Sequence, residues 1–262
     1  SNDEWGKAES SKDIKLKELL VEENGEYVPE GEYVGFNKVV VDVKKELPVK
    51  GDLIMLDGKQ YRVLKINDSV AEVLAMYNST DLQKFGNSNI YANNLLDVYL
   101  SQMFYNSLSI NIQNAIVKKT FQQDSWTTYG AAGLAKYNGI FKTTNKYTLS
   151  LMSVAYGDRI SRECYVLSLQ DVIEYLGATT SMDSADTTLT SENVWKIFWN
   201  QTTSPGTTDV WLRSADASNV NSAFGVDGDT GSLNYRTGYL VQNQVRPAFQ
   251  IDLSKVDWTK SE

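Results

Sequence analysis

Two short apolar segments near the C-terminus, each with a single arginine, constrain most strongly how this chain can fold. They are residues 210–214, Val-Trp-Leu-Arg-Ser, and residues 245–249, Val-Arg-Pro-Ala-Phe. Both have the β-branched and aromatic composition of strands. They bracket a run over 216–244 that is rich in Asn, Asp, Gly, Ser and Tyr. Such a run is poor core material, so we expect an exposed, irregular loop between two core strands.

Arg213 and Arg246 each place a charge among the apolar neighbours of these segments. A buried charge is tolerated only where a counter-charge or hydrogen-bond acceptors compensate it. We therefore predict structural roles for both arginines, as salt bridges or as hydrogen bonds to carbonyls that fix the intervening loop.

The composition argues against several classes of function. The chain of 262 residues has a net charge of −8, and acidic residues outnumber basic ones over 151–262, so nucleic acid is not an expected partner. It contains no histidine, which removes the usual general base and the commonest metal ligand. The single cysteine, Cys164, is expected to be a small buried residue, because it has no partner for a disulfide or a CxxC site. We predict no cofactor and no metal.

Targeting signals are sparse. No apolar run reaches the roughly 20 residues that a membrane helix needs, so membrane insertion is not expected. We find no signal peptide pattern; residues 1–13 resemble a trimmed start, and secretion from a longer precursor stays open.

Turn residues divide the chain into an N-terminal arm, residues 1–46, and a main domain, residues 47–258. Gly and Pro punctuate a small β module in the arm, which ends in a β-branched strand over 36–43. The main domain begins with a meander in which Asp57-Gly58 supplies a type I′ turn. Its three predicted strands are residues 52–56, 60–66 and 71–76.

Helical patterns follow the meander. Asn93 or Asn94 can cap a first helix, and Ser109 can cap a second. A capping-box pattern at 168–171 opens a third helix, and Gly177 suits its C-terminal end.

A last short helix is predicted over 191–199. Its apolar side chains are assigned to the core rather than to an aromatic ligand cage. The polar stretches 122–150 and 178–190 are predicted to be loops with some strand. Since no βαβ alternation is present, we predict an α+β fold with an antiparallel sheet, flanking helices and long loops.

Several of these segments, taken in order, resemble DUF6273, a domain family of unassigned function common in gut bacteria and their phages. The resemblance implies a C-type-lectin-like domain, related to the formylglycine-generating-enzyme fold, in which a sheet framed by helices presents an irregular loop surface. Related scaffolds serve as variable receptor-binding proteins of diversity-generating retroelements. The segments span about residues 48–254 and are 51–52, 61–64, 95–106, 116–117, 165–171, 211–214 and 245–249.

Two activities of the related proteins do not transfer to this chain. Calcium-dependent lectins bind sugars through Glu-Pro-Asn and Trp-Asn-Asp motifs, and neither occurs in the sequence. The formylglycine-generating oxidase uses a pair of cysteines, whereas Cys164 stands alone.

The arm carries a second resemblance. Residues 24–43 are similar to a short module of phage tail and bacterial surface proteins, in which Asn-Gly-x-Tyr precedes Gly-Phe-x-x-Val-x-Val. This similarity implies that the arm attaches the domain to a larger assembly, and it leaves an oligomer through the arm open.

The polar run over 216–244 supplies candidate ligand contacts, because Tyr offers broad contact area and Asn adaptable hydrogen bonds. Ordinary turns share this composition, so a diversified loop and a plain one both stay open. Residues 227–231, Asp-Gly-Asp-Thr-Gly, resemble the start of a calcium loop but lack its later ligands, which favours an acidic turn. The candidate contacts are Asn219, Asn221, Asp227, Asp229, Asn234, Tyr235, Arg236, Tyr239, Asn243 and Gln244.

We therefore predict a non-enzymatic ligand- or receptor-binding protein, extracellular, on a phage tail or a bacterial surface, with a protein or glycan on a cell surface as its partner. Two alternatives stay open, a carboxylate-dependent glycan-processing hydrolase and a structural surface module. A binder should show an exposed face, whereas a hydrolase should show a deep pocket with converging carboxylates of shifted pKa. No nucleophile elbow, P-loop or dinucleotide fingerprint favours an enzyme.

Overall fold

A computed structural model describes residues 20–23, 26–29, 46–77, 82–126, 153–177, 191–217, 219–231, 233–238 and 240–261. The chain divides into two compact units, residues 1–47 and residues 48–262. In the first unit, β1 (Leu20–Glu23) and β2 (Glu26–Pro29) form an antiparallel hairpin. The strand expected over 36–43 lies outside the described residues.

The first sheet of the second unit is built on the predicted meander. Its strands β3 (Leu53–Leu56), β4 (Lys59–Asn67) and β5 (Val70–Ala75) pair antiparallel in chain order. Asp57 and Gly58 have φ values of 47° and 71°, and such positive values at both central residues are those of a type I′ turn. The prediction of a meander closed by this turn is confirmed.

Later segments of the chain extend this sheet at both edges. β14 (Thr259–Lys260) pairs with β3, and β13 (Ala248–Asp252) pairs antiparallel with β5. Two short strands, β6 (Ile116–Val117) and β9 (Cys164–Tyr165), pair with the other edge of β13. The second arginine-bearing segment therefore leads into an interior strand of this sheet.

The first arginine-bearing segment lies in a second sheet. Here β10 (Val210–Asp216) lies between β11 (Ser222–Val226) and β7 (Lys119–Trp126), while β12 (Leu233–Thr237) and β8 (Ser153–Arg162) complete the order β12-β11-β10-β7-β8. The pairing of β10 with β7 is parallel, and the other pairings are antiparallel.

Helices connect and cover the sheets. α1 (Leu95–Val98) continues as a π-helix over Tyr99–Phe104 and ends in α2 (Tyr105–Ser107), and α3 (Ile110–Ala115) follows. The Asn94 side chain accepts a hydrogen bond of 2.9 Å from the Asp97 N–H, so Asn94 caps α1.

The two later helices are α4 (Leu169–Leu176) and α5 (Ser191–Trp199). Ser168 and Asp171 form the predicted capping box of α4, and Gly177 ends that helix in the left-handed conformation with φ 69°. On α5, Phe198 is buried in the core, whereas Trp199 is only partly buried. The described elements confirm an α+β fold with mostly antiparallel sheets. No helix among them is long and apolar enough to cross a membrane.

The prediction of an irregular loop over 216–244 is wrong, because this run contains the strands β11 and β12. Every residue of β11 is buried, and Phe224 and Val226 belong to the core. At Gly225 an added Cβ atom would lie 2.8 Å from the carbonyl oxygen of Val210, so only glycine fits there. The polar average of the run conceals one short strand with core side chains.

Candidate functional site

The turn that joins β10 to β11 is an exposed part of the predicted contact run. Asn219 is exposed, Val220 is 65% exposed and Asn221 is partly buried. The Asn219 side chain accepts a hydrogen bond of 3.0 Å from the Asn221 N–H, which closes the turn locally. This turn places one group of the predicted contacts at the surface.

Asn89 holds this turn in place from below. It is 2% exposed, and its side-chain amide donates to the carbonyl oxygens of Asp216 at 2.8 Å and of Asn219 at 3.1 Å. Its main-chain N–H donates to the carbonyl oxygen of Val220 at 2.7 Å, and its side-chain oxygen accepts from the Tyr156 hydroxyl at 3.0 Å. Asn89 therefore donates three hydrogen bonds to carbonyl oxygens of the turn, and the bond from Tyr156 fixes the Asn89 side chain itself, so the turn has a fixed geometry.

Gln123, on β7, fixes the position of Asn89. Its side-chain amide donates at 2.7 Å to the carbonyl oxygens of both Asn89 and Arg213, and its side-chain oxygen accepts from the Tyr91 N–H at 2.8 Å. Sequence reasoning missed Asn89 and Gln123, because each is an ordinary amide in its local sequence and gains its role only from long-range contacts.

A second turn, after β12, lies beside the first. The Gly238 N–H donates to the carbonyl oxygen of Asn221 at 2.8 Å, and the Phe85 N–H donates to that of Gly238 at 3.1 Å. Further along, Gln83 and Asn243 exchange main-chain hydrogen bonds of 2.9 and 3.0 Å. The segment 82–91 therefore runs along both turns and fastens them together.

Exposed apolar side chains lie on the segment 82–91 and on the two turns, and we call them the apolar face. Main-chain hydrogen bonds join the segments that carry them: Ile90 follows Asn89, which is bonded to Val220, and Leu82 precedes Gln83, which is bonded to Asn243. Exposed apolar patches on folded proteins often mark interaction sites. The apolar face consists of Leu82, Ile90, Val220, Leu240 and Val241, and their exposures range from 37% to 67%.

The structure does not bring all the predicted contacts together. Asp227 and Asp229 lie in the turn between β11 and β12, at the opposite end of β11 from Asn219. Five strand residues separate the two ends, roughly 17 Å at the usual rise per residue. The Asp227 side chain accepts hydrogen bonds from the N–H groups of Asp229 and Thr230 at 2.9 and 2.8 Å, so it closes an acidic turn.

Asn243 and Gln244 do not lie on an exposed face. They are 3% and 9% exposed, because this segment bridges Gln83 on one side and β10 on the other. Their assignment as surface contacts is corrected accordingly. Asn234, Tyr235 and Arg236 lie on β12, paired with β11; their side chains, and Tyr239 as a whole, lie outside the described part of the chain.

Arg213, on β10, takes part in a network of charged side chains. Its guanidinium contacts the Asp171 carboxylate at 2.6 Å, donates to the Val166 carbonyl at 2.6 Å and covers the Phe121 ring at 4.4 Å. Burial alone would raise the pKa of Asp171, but Arg213 and then Lys119 outweigh it and hold that pKa well below its ordinary value. Arg213 thus has the kind of partner that its apolar setting demands.

A cleft of about 380 Å³ lies between α4 and the strands β4 and β5, and three carboxylates line it. Asp171 is bound to Arg213, and Glu72 accepts hydrogen bonds from Lys119 at 2.6 Å and from the Tyr165 hydroxyl at 2.7 Å. Glu174 accepts one from Gln170 at 3.0 Å. The bonds of Asp171 and Glu72 join different elements of the fold, whereas that of Glu174 stays within α4 at the surface. Among the described residues, no group of three or more Asp, Glu, Cys or His side chains is placed to hold a metal ion.

The structure is thus an α+β domain with two turns, after β10 and after β12, that hydrogen bonds from the segment 82–91 fix in place, and with the exposed side chains of the apolar face on the same segments. A family model described as a domain of unknown function, DUF6273, matches residues 63–253, and the chain belongs to that family. No curated protein and no solved structure matches the chain.

Proposed function

We propose that this protein is a non-enzymatic binding module that recognises a protein or glycan ligand with the apolar face and the turn between β10 and β11. One observation carries the proposal: exposed apolar side chains lie beside a polar turn that three hydrogen bonds donated by Asn89 fix in place. A pre-formed surface loses little conformational entropy when it binds, which favours affinity.

The setting that we propose is extracellular, on a phage tail or a bacterial surface, with a C-type-lectin-like scaffold. The support is the resemblance of the arm to phage-tail and surface modules, together with the polar, turn-forming composition of 216–244. The same composition supports a variable protein of a diversity-generating retroelement. Genomic sequencing around the gene tests this part, because the proposal requires tail or surface genes nearby, and diversification requires a reverse transcriptase with a template copy of this region.

Binding itself is tested with paired surface variants. Val220→Asp and Leu240→Asp place charges on the apolar face, where the native side chains are 65% and 67% exposed. Met103→Asp and Ile110→Asp are matched controls, because these side chains are 67% and 64% exposed on other elements. The measurement is the affinity of the purified protein for a glycan array and for intact gut-bacterial cells.

We expect the two variants of the apolar face to weaken binding at least tenfold and the two controls to leave it unchanged. Equal losses in all four variants would show that the apolar face has no special role. Absence of binding to any glycan or cell would count against the binding module itself.

A further inference from the structure

Among the arginine side chains of the second unit that the structure describes, four are wholly or largely buried, and they differ in how their charge is balanced. Arg213 is paired with Asp171, and Arg162 makes a two-pronged contact with Asp97 at 2.8 and 2.7 Å. Arg62 and Arg246, at 7% and 4% exposure, have no carboxylate partner among the described residues. Two buried positive charges are therefore left without a counter-charge in that part of the chain.

These two arginines meet the same end of one helix. Arg62 donates to the Asn200 side-chain oxygen at 2.5 Å and to the Gly51 carbonyl at 3.0 Å. The Arg246 guanidinium lies 5.9 Å from the centre of the Trp199 ring. Trp199 is the last residue of α5, and Asn200 follows it.

The sheet register explains this convergence. Arg62 pairs with Leu74 across β4 and β5, and Leu74 pairs with Ala248 across β5 and β13. Residues paired across a sheet point to the same face, as do residues two apart along a strand. Arg246 lies two residues before β13 begins, and the Ala75 N–H still donates to the Pro247 carbonyl at 2.8 Å, so the pairing continues past the strand and places Arg246 on the face that Arg62 occupies.

Several N–H donors at this helix end are buried without an acceptor. Among the described residues, the Nε of Arg62, the Nε and Nη1 of Arg246 and the Nε1 of Trp199 have no hydrogen-bond partner. Buried donors are seldom left unpaired in folded proteins, and those of a charged group least of all. The negative end of the α5 dipole supplies only roughly half a charge against two guanidinium groups.

We propose that this cluster of Arg62, Arg246 and Trp199 binds a small oxyanion, a carboxylate or a phosphate. The planar guanidinium fork matches the geometry of both anions, and the indole N–H adds a neutral donor to the same group. Burial lowers the pKa of Arg246 to about 10, so its charge persists at neutral pH and the attraction for an anion persists with it. This inference is independent of the apolar face and of the function proposed for it.

The test is thermal unfolding at constant ionic strength, with chloride replaced stepwise by phosphate or by acetate. An anion that binds the folded chain raises the unfolding midpoint as its concentration increases. The variants are Arg246→Gln, which removes the fork, and Trp199→Phe, which removes one N–H and keeps an aromatic ring. Arg159→Gln is the control, because Arg159 is an exposed arginine on β8.

We expect wild type and Arg159→Gln to show the same rise in midpoint of several degrees with at least one of the two anions. Arg246→Gln should lose most of that rise and Trp199→Phe part of it. General stabilisation by phosphate acts on every variant alike, so an equal rise in all four proteins overturns the proposal. No rise in wild type with either anion also overturns it, because the counter-charge would then belong to the chain itself. The protein is unfolded and dialysed to remove any bound anion, and then refolded. Equilibrium dialysis of this refolded protein against radiolabelled phosphate or acetate should retain about one anion per chain.

Discussion

The side chain of Asn89 donates a hydrogen bond of 2.8 Å to the carbonyl oxygen of Asp216, the last residue of β10. This bond joins a segment without regular secondary structure to the C-terminal end of β10 in the second sheet. The position of the turn after β10 therefore depends on a residue that lies far from it in sequence.

Replacing Asn89 with alanine should loosen this turn. The variant removes the side-chain amide that donates to the carbonyl groups of Asp216 and Asn219 and accepts from the Tyr156 hydroxyl. Each lost bond of this kind costs about 1 kcal/mol, and the two carbonyl groups keep main-chain donors at 3.4 and 3.0 Å, from Asn219 and Ser222. We expect a fall of about 1–3 kcal/mol in the free energy of unfolding. Urea unfolding measures it, and hydrogen exchange at the Asn221 and Ser222 amides should quicken. Asn87→Ala, at an exposed neighbour, should leave both unchanged.

Asp171→Asn should destabilise the protein in a way that depends on pH. At neutral pH the variant leaves Arg213 buried without its carboxylate, at a cost of roughly 3 kcal/mol. A carboxyl group whose pKa is lowered in the folded state contributes its stability above the unfolded value, and that contribution is lost as the pH falls through the folded value.

The ordinary pKa of this group is 3.8, and its folded value is well below that. The gap in stability between wild type and Asp171→Asn should therefore be full at neutral pH and close progressively below about pH 4. Urea unfolding between pH 7 and pH 2 checks this expectation. A gap that is constant with pH would show that the carboxylate charge has no part in it. Glu174→Gln, at an exposed position on the same helix, should show no such gap.

Two small changes in β11 should have opposite consequences. Gly225→Ala would press a Cβ atom against the Val210 carbonyl oxygen at 2.8 Å, and backbone atoms yield little, so we expect a loss of about 1–3 kcal/mol. Ser222→Ala removes a buried hydroxyl that has no hydrogen-bond partner among the described residues, so it should be neutral or slightly stabilising. Thermal unfolding midpoints of the two variants provide the comparison. Similar losses in both would contradict the close approach of β10 and β11.

Cys164 should be unreactive in the folded protein. It is fully buried, and burial raises the pKa of its thiol well above the ordinary value, so little thiolate is present to react. A colorimetric disulfide reagent at pH 8 should therefore label the native chain far more slowly than the chain unfolded in guanidinium. Equally fast labelling of both would place the thiol at the surface.

Local sequence signals predicted the elements whose causes are local. The Asp57-Gly58 turn needs positive φ at neighbouring residues, and the capping box at Ser168 and Asp171 needs two side chains three residues apart. Both are short-range patterns, and both occur in the structure. Paired segments with such turns made the antiparallel character of the first sheet predictable.

The elements that the sequence did not predict depend on distant contacts. The parallel pairing of β10 with β7 joins residues about ninety positions apart, and no local pattern encodes it. The burial of β11 was hidden by the polar residues on both sides of it, since an average over a long run outweighs one short strand. The role of Asn89 follows only from where three other segments run.

Asn89 holds the turn after β10 through the main-chain carbonyl groups of Asp216, Asn219 and Val220, which every amino acid possesses. These three hydrogen bonds therefore do not depend on which side chains the turn presents. Evolution can exchange residues at positions 219 and 220 without dismantling the support beneath them. In such a fold, the residues that keep the turn in position and the residues that the turn exposes can change independently during evolution.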